Sequence, residues 1–269
     1  MVLILADKTK QLRRGFFDVQ NSVGVGRDEE DFHQAMRLWL RENGVPAASK
    51  QPHSLELYGE VAHKLFPDFV AWNQMTIELK AIQRSPGQTE YVQLFDYLKC
   101  RQDRLGLLVN MGLDRVHVER VVYEERSTQL QEDWSYWSGQ IDGHAREVGL
   151  IVRKVLQDVY QQHTTGYGDE VIRKLILFGL RHHELSIVES PEATACYRDV
   201  VLRESALDCL LIEDCIVLTF TALFDSNEFN MNRGKSFLNA LNLRWGIAAN
   251  FGKTEAQFTG LRNMQSSHQ

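Results

Sequence analysis

The sequence predicts a mixed α/β protein made of two related halves. In the first half, helical and strand patterns follow one another in the order helix, helix, three strands, helix, two strands. When the chain is shifted by about 140 residues, its second half repeats features of the first in the same order. The length of 269 residues has room for two domains of modest size.

Three helices are predicted in the first half. Apolar residues recur every three or four positions over residues 5–22, which is the spacing of one helix face. A second helix runs from Asp28 to Glu42 and ends at Asn43-Gly44, because such a pair stops a helix. Pro86-Gly87 opens the third helix, Gln88–Arg101.

Five short apolar runs are predicted to be strands. They are Leu55–Tyr58, Phe66–Trp72, Met75–Ile82, Leu105–Asn110 and Val116–Tyr123. The pair Asn73-Gln74 separates the second run from the third and predicts a tight hairpin turn.

The repeat defines the expected domains. Under the shift, Asp68 falls on Asp208, and the pattern Gly-x-x-x-Asn-x-Gly that begins at Gly106 falls on the one that begins at Gly246. We therefore expect a first domain over residues 1–123, a polar linker over 124–144, and a second copy of the same fold over 145–269. The alternative is a chance match between two generic α/β patterns.

Composition excludes several classes of protein. The chain has 30 basic and 36 acidic residues and a net charge of −6, so it is not a histone-like protein that binds nucleic acid by charge alone. It contains no apolar run long enough to cross a membrane. Its four cysteines are scattered without a C-x-x-C pair, which predicts a reducing, cytoplasmic setting and no zinc ribbon.

A small set of charged residues in the first half suggests chemistry. Glu78 and Lys80 are two positions apart in one strand, so their side chains share a face. If this strand pairs with the preceding one as a hairpin, Asp68 reaches the same cleft. Two carboxylates there form a hard oxygen site suited to Mg²⁺ or Mn²⁺. The alternative is a half-buried strand with a charged outer face.

These motifs resemble those of a known family. Phe66-Pro67-Asp68 and Ile77-Glu78-Leu79-Lys80 look like the two motifs of the PD-(D/E)xK nuclease superfamily. Gly26-x-x-Glu29-x-x-Phe32 looks like the name motif of its GxxExxY proteins, with Phe32 in place of the tyrosine. The segment that begins at Gln93 looks like the superfamily's following helix. The resemblance covers residues 10–123.

The resemblance implies a fold and a set of roles. The fold is a restriction-endonuclease-like αβββαβ core with a central mixed sheet, here duplicated in tandem as a pseudo-dimer. Glu29, Asp68 and Glu78 would hold Mg²⁺ or Mn²⁺. Lys80 would assist the attacking water, and Gln93 would support the site or contact phosphate.

The second half departs from this pattern at the positions that carry chemistry. Thr219 and Thr221 stand where the first half has glutamate and lysine, and Arg233 or Gly234 stands where it has Gln93. Asp208 remains, and Asp169 can stand in for Glu29. We expect a copy that has lost catalysis and kept the fold.

The predicted function is a Mg²⁺-dependent nuclease that acts on nucleic acid, with DNA the expected substrate and no membrane partner. The alternative is a non-catalytic nucleic-acid-binding or assembly protein that retains the nuclease fold. A third hypothesis is that the resemblance to the nuclease superfamily is accidental and that the protein is a small-molecule enzyme. Self-association or a protein partner is compatible with each.

Overall fold

The computed structural model describes residues 4–198, 200–224 and 226–264. The chain divides into two compact units. Unit 1 consists of Met1–Leu55 and Lys64–Glu125, and unit 2 consists of Glu56–His63 and Arg126–Gln269. A short segment from the first half of the sequence therefore belongs to unit 2. No helix in the described ranges is long and apolar enough to span a membrane.

The described part of the first half, from residue 4 onwards, contains three helices and seven strands. In chain order they are α1 (Ala6–Val23), α2 (Glu29–Glu42), β1 (Ala47–Ser49), β2 (His53–Leu57), β3 (Glu60–Leu65), β4 (Phe69–Ala71), β5 (Met75–Lys80), α3 (Gln88–Arg101), β6 (Leu105–Asn110) and β7 (His117–Val122). The three predicted helices are confirmed, and α3 has the predicted bounds.

Unit 1 is a mixed five-stranded sheet between helices. The strand order is β1-β4-β5-β6-β7, in which β5 and β6 are parallel and the other neighbours are antiparallel. Phe16 of α1 and Met36 of α2 share a buried core with Leu79 of β5, so both helices cover one face of the sheet. Leu94 of α3 packs with Leu108 of β6 on the opposite face. Strand alternation sends Glu78 and Lys80 to the α3 face.

The strands differ from the prediction in two places. The run predicted at Leu55–Tyr58 corresponds to β2, two residues earlier at its start. Strands β1 and β3 were not predicted, because three residues and an irregular polar alternation give little periodic signal. The strand predicted at Phe66–Trp72 is only Phe69–Ala71, since Pro67 has no N–H to donate to a neighbouring strand. The predicted hairpin turn is confirmed, with Phe69 opposite Ile77.

The second half repeats this series. Its elements are β8 (Gln129–Asp133), α4 (Gly143–His163), α5 (Asp169–His182), β9 (Ile187–Glu189), β10 (Glu192–Tyr197), β11 (Val200–Ala206), β12 (Leu210–Ile212), β13 (Ile216–Ala222), α6 (Glu228–Ala240), β14 (Trp245–Phe251) and β15 (Glu255–Arg262). Its sheet has the order β8-β15-β14-β13-β12-β9. From β9 to β15 the order and strand directions match those from β1 to β7.

The register of the central strands matches as well. Lys80 lies opposite Asn110 in unit 1, and Thr221 lies opposite Asn250 in unit 2. The sequence shift therefore pairs residues that occupy the same place in the two sheets.

Strand β8 has no counterpart among the described residues of unit 1. It lies inside the segment 124–144, whose polar composition predicted a linker, and it adds a parallel edge strand beside β15. Trp137 of the same segment is buried, and its indole N–H donates to the Leu261 carbonyl at 3.0 Å. Part of the predicted linker is therefore structure of unit 2.

Candidate active site

Asp68 and Glu78 are brought together by the β4–β5 hairpin. Asp68 directly precedes β4, and the pairing of Phe69 with Ile77 places it beside Glu78 on the neighbouring strand. The Asp68 Oδ2 accepts a hydrogen bond from the Leu79 N–H at 2.8 Å. This bond holds a buried carboxylate at the edge of the strand that carries the Glu-x-Lys motif.

Glu78 and Lys80 form a close pair on the α3 face of β5. The Lys80 Nζ donates to the Glu78 Oε1 at 2.6 Å, and both side chains are largely buried. The second oxygen of Glu78, Oε2, is buried and has no hydrogen-bond partner among the described residues. A carboxylate oxygen in that situation bears a desolvation cost with nothing to offset it.

Glu29 reaches the same site from a different element. It is the first residue of α2, and its carboxylate accepts a hydrogen bond from the backbone N–H of Ala81, just past the end of β5. Its Oε2 lies 3.9 Å from the Lys80 Nζ. The structure therefore brings Glu29, Asp68, Glu78 and Lys80 to one place.

The site carries more negative charge than Lys80 alone balances. Burial, and then the neighbouring Asp68 carboxylate, raise the pKa of Glu78 to about 8 against the opposing effect of Lys80. Burial also raises the pKa of Glu29. Burial disfavours the charge on Lys80, but the Glu78 carboxylate outweighs it, so the pKa of Lys80 is raised and the amine stays protonated. An added cation would relieve the strain among the carboxylates.

Gln93 contacts Tyr97, a residue of the same helical motif for which the sequence predicted no role in the site. Its amide Nε2 donates to the Tyr97 hydroxyl at 2.9 Å, one turn further along α3. Tyr97 is buried, and burial together with the Glu78 carboxylate raises the pKa of its hydroxyl. The hydroxyl therefore stays protonated next to Glu78. The i, i+4 spacing from Gln93 was the available signal for this pairing.

Asn110 is a second residue whose role the sequence did not reveal. Its Oδ1 accepts from the N–H groups of Ile82 and Gly112, and its Nδ2 donates to the carbonyls of Ile82 and Arg84. These four bonds fix the loop that follows β5 and leads into α3. Asn250 binds the Phe224 carbonyl in the same way in unit 2, which explains why the Gly-x-x-x-Asn-x-Gly pattern is repeated.

The residues fit a hard divalent cation. Within the described ranges, no group of three or more His, Cys, Asp or Glu side chains is already arranged to hold a metal ion. The donor chemistry nevertheless suits one, because carboxylate oxygens are the ligands that Mg²⁺ prefers and the Glu78 Oε2 is buried with its bonding capacity unused.

Unit 2 has an arginine cluster where unit 1 has carboxylates and lysine. Asp208, at the place of Asp68, accepts from Arg173 of α5 at one oxygen and from Arg233 of α6 at the other. Arg233 also donates to the Phe220 carbonyl at 2.7 Å and to the Asn230 side chain at 2.9 Å. Two fixed guanidinium groups therefore compensate the one acidic motif residue that remains.

The other equivalent positions of unit 2 hold neutral or structural groups. Thr219 is fully buried at the place of Glu78 and donates to the Asn230 carbonyl at 3.4 Å. Asp169 repeats the backbone contact of Glu29, since it accepts from the N–H of Ala222 at 2.6 Å. The fold of the motif region is kept in unit 2 without its charged pair.

Comparison with known proteins agrees with this architecture. A family model described as the PD-(D/E)XK nuclease superfamily matches the chain twice, over residues 6–121 and again over 146–262. The chain belongs to the PD-(D/E)XK nuclease superfamily.

Other comparisons are less informative. No curated protein sequence matches the chain. A solved structure described as "Crystal structure of SSO0001" aligns with 36% of this chain at 20% identity and a TM-score of 0.30. The aligned region spans about half of that protein, 52% of its length.

Proposed function

We propose that this chain is a metal-dependent nuclease that hydrolyses phosphodiester bonds of DNA with Mg²⁺ or Mn²⁺, at a site in unit 1. The observation that carries the proposal is the buried Glu78 carboxylate, which is paired with Lys80 on one oxygen and unpartnered on the other. Such a group is costly in a merely structural strand and useful at a catalytic centre.

The roles of the residues follow from their charges and positions. Glu29, Asp68 and Glu78 would hold the metal ion. When bound, a divalent ion there would lower the pKa of a water molecule and offset charge on the phosphoryl group. In hydrolysis, the water oxygen forms a bond to phosphorus, the bond from phosphorus to the leaving sugar oxygen breaks, and that oxygen gains a proton.

Lys80 and the Gln93–Tyr97 pair support this reaction, but they do not accept the proton that the attacking water loses. Lys80 stays charged because Glu78 raises its pKa, so it orients the water or stabilises the transition-state charge rather than acting as a base. Gln93 donates to the Tyr97 hydroxyl, which stays protonated under the electrostatic influence of the Glu78 carboxylate. We place Gln93 in the site as a positioning residue.

We further propose that unit 2 is a degenerate tandem copy, so that the chain is a pseudo-dimer with one catalytic centre. The shared strand order, the shared register and the second family match support this. The Gly26-x-x-Glu29 motif supports placing unit 1 among GxxExxY proteins, because Glu29 begins α2 beside Lys80.

The test is a cleavage assay on linear, circular and single-stranded DNA and on RNA, with Mg²⁺, Mn²⁺ or EDTA. We expect metal-dependent cleavage of DNA by the wild-type protein and none by Asp68→Ala or Lys80→Ala. Asp208→Ala is the matched control, because it removes the equivalent aspartate of unit 2. Binding of nucleic acid without cleavage under any metal condition would favour the alternative, a non-catalytic protein that retains the fold.

A further inference from the structure

The place in unit 2 that corresponds to the active site is built as an anion site. Arg173 and Arg233 come from two different helices, and each donates to a different oxygen of Asp208. A carboxylate that offers one oxygen to each guanidinium shows that the pair is spaced for an anion with two oxygens on a single atom. A phosphodiester is such an anion, and guanidinium groups recognise it well.

Asp208 is a weak occupant of this site. Its side chain is 62% exposed, while those of Arg173 and Arg233 are 25% and 16% exposed. An exposed carboxylate gains little from an ion pair because water competes for it. Arg233 also donates to the Phe220 carbonyl and the Asn230 side chain, and Arg173 lies over the Phe220 ring at 4.8 Å, so each guanidinium has a contact that does not depend on Asp208.

An exposed aromatic ring lies beside Arg233. Phe229, in the first turn of α6, is 66% exposed, and its ring lies under the Arg233 guanidinium at 5.8 Å. The sequence shift puts Thr89 at this position in unit 1, so the ring is particular to unit 2. A solvent-facing ring beside a cation suits an unpaired base next to its phosphate.

We propose that unit 2 binds single-stranded nucleic acid at this site, with a phosphate on Arg173 and Arg233 in place of Asp208 and a base stacked on Phe229. This inference deepens the proposed nuclease function and rests on it, because it assigns the degenerate copy to substrate binding. The ligand is a single strand, since a base within a duplex offers no free face to the ring.

The test is fluorescence anisotropy with labelled oligothymidylate, oligouridylate and a duplex, all in EDTA so that no cleavage occurs. Phe229→Ala should weaken single-strand binding by about tenfold. Arg173→Gln should weaken it and reduce the slope of log affinity against log salt by about 0.7. Asp208→Asn should tighten it by about threefold, because it removes the internal competitor. Arg181→Gln, also on α5 and exposed, is the matched control and should bind as wild type.

The outcomes separate this inference from the nuclease proposal. Single-strand binding that Phe229→Ala and Arg173→Gln both weaken supports the site, and the preferred oligonucleotide identifies the sugar it accepts. Wild-type affinity in both variants, equal loss in Arg181→Gln, or weaker binding by Asp208→Asn would overturn it. Cleavage by wild-type protein in Mn²⁺ tests the catalytic residues of unit 1, and binding in EDTA requires no cleavage, so a failure of either proposal is visible separately.

Discussion

Replacing Glu78 by glutamine tests the electrostatic account of the site most directly. Burial and Asp68 raise the pKa of Glu78 from 4.5 to about 8, so the folded protein holds a proton there that the unfolded chain has released. Because the folded state binds more protons over this interval, the free energy of unfolding falls as pH rises from about 4.5 to about 8. Glutamine keeps the shape of the side chain and removes this dependence.

The size of the stabilisation expected of Glu78→Gln follows from the raised pKa of Glu78. At about 1.4 kcal/mol per pKa unit, the charge on Glu78 costs at most about 5 kcal/mol above pH 8. Glutamine also removes the charged partner that the buried Lys80 ammonium has at 2.6 Å, so that Glu29 at 3.9 Å is the nearest carboxylate left. This loss offsets part of the stabilisation that comes from removing the buried charge of Glu78. We therefore expect Glu78→Gln to stabilise the metal-free protein by about 1–3 kcal/mol at about pH 8.

The assay is thermal unfolding in EDTA, followed by circular dichroism across the pH range. With two compact units, the unfolding transition of unit 1 is the relevant one. Its melting temperature should rise by about 3–8 °C in Glu78→Gln at about pH 8, and the difference should vanish near pH 5. A difference that does not change with pH, or a destabilised variant at pH 8, would refute the reasoning. The wild-type protein, unfolded in parallel across the same pH range, is the control.

Three further predictions follow from the structure. Asp68→Ala and Lys80→Ala should each abolish cleavage in Mn²⁺ while the protein stays folded, whereas Asp208→Ala should leave cleavage nearly intact; equal loss from both aspartate variants would show that both units build the active site. Mg²⁺ affinity, measured by calorimetry, should increase as pH rises towards about 8, because metal binding must displace the proton of Glu78; an affinity that is flat with pH would contradict this. Asn110→Ala should lower the stability of unit 1 by about 2–4 kcal/mol in chemical denaturation, since it removes the partner of four loop backbone groups that the buried Asn110 side chain binds; a loss below about 0.5 kcal/mol would contradict the bracing role.

The sequence predicted correctly those elements whose start and end are set by residues within them or next to them. The third helix was predicted at Gln88–Arg101 and lies there, because Gly87 precedes it and the Gly87 N–H donates to the Glu90 carboxylate at 2.6 Å. The hairpin that brings Asp68 beside Glu78 was likewise readable, since its turn residues separate two apolar runs.

Other features depend on partners that are distant in the sequence. Strand β8 is a strand because the edge of β15 is available to it, and its own composition is that of a loop. The segment 56–63 joins unit 2 through contacts such as the hydrogen bond from the Tyr58 hydroxyl to Asp158 at 3.1 Å, about a hundred positions away. The hydrophobic periodicity within either segment therefore does not predict these contacts.

The asymmetry between the units has a consistent electrostatic logic. In unit 1, Glu29, Asp68 and Glu78 face one another with Lys80 as the nearest cation, so the site is left with excess negative charge that an added cation can balance. In unit 2, Thr219 and Thr221 stand where unit 1 has the glutamate and the lysine, and Arg173 and Arg233 pair with Asp208 from within the chain. Because these two arginines already balance the charge of Asp208, a metal ion is not required at this position of unit 2. In the proposed complex, the same guanidinium groups bind an external anion in place of Asp208. The two halves can thus share one backbone while one is suited to a cation and the other to a phosphate.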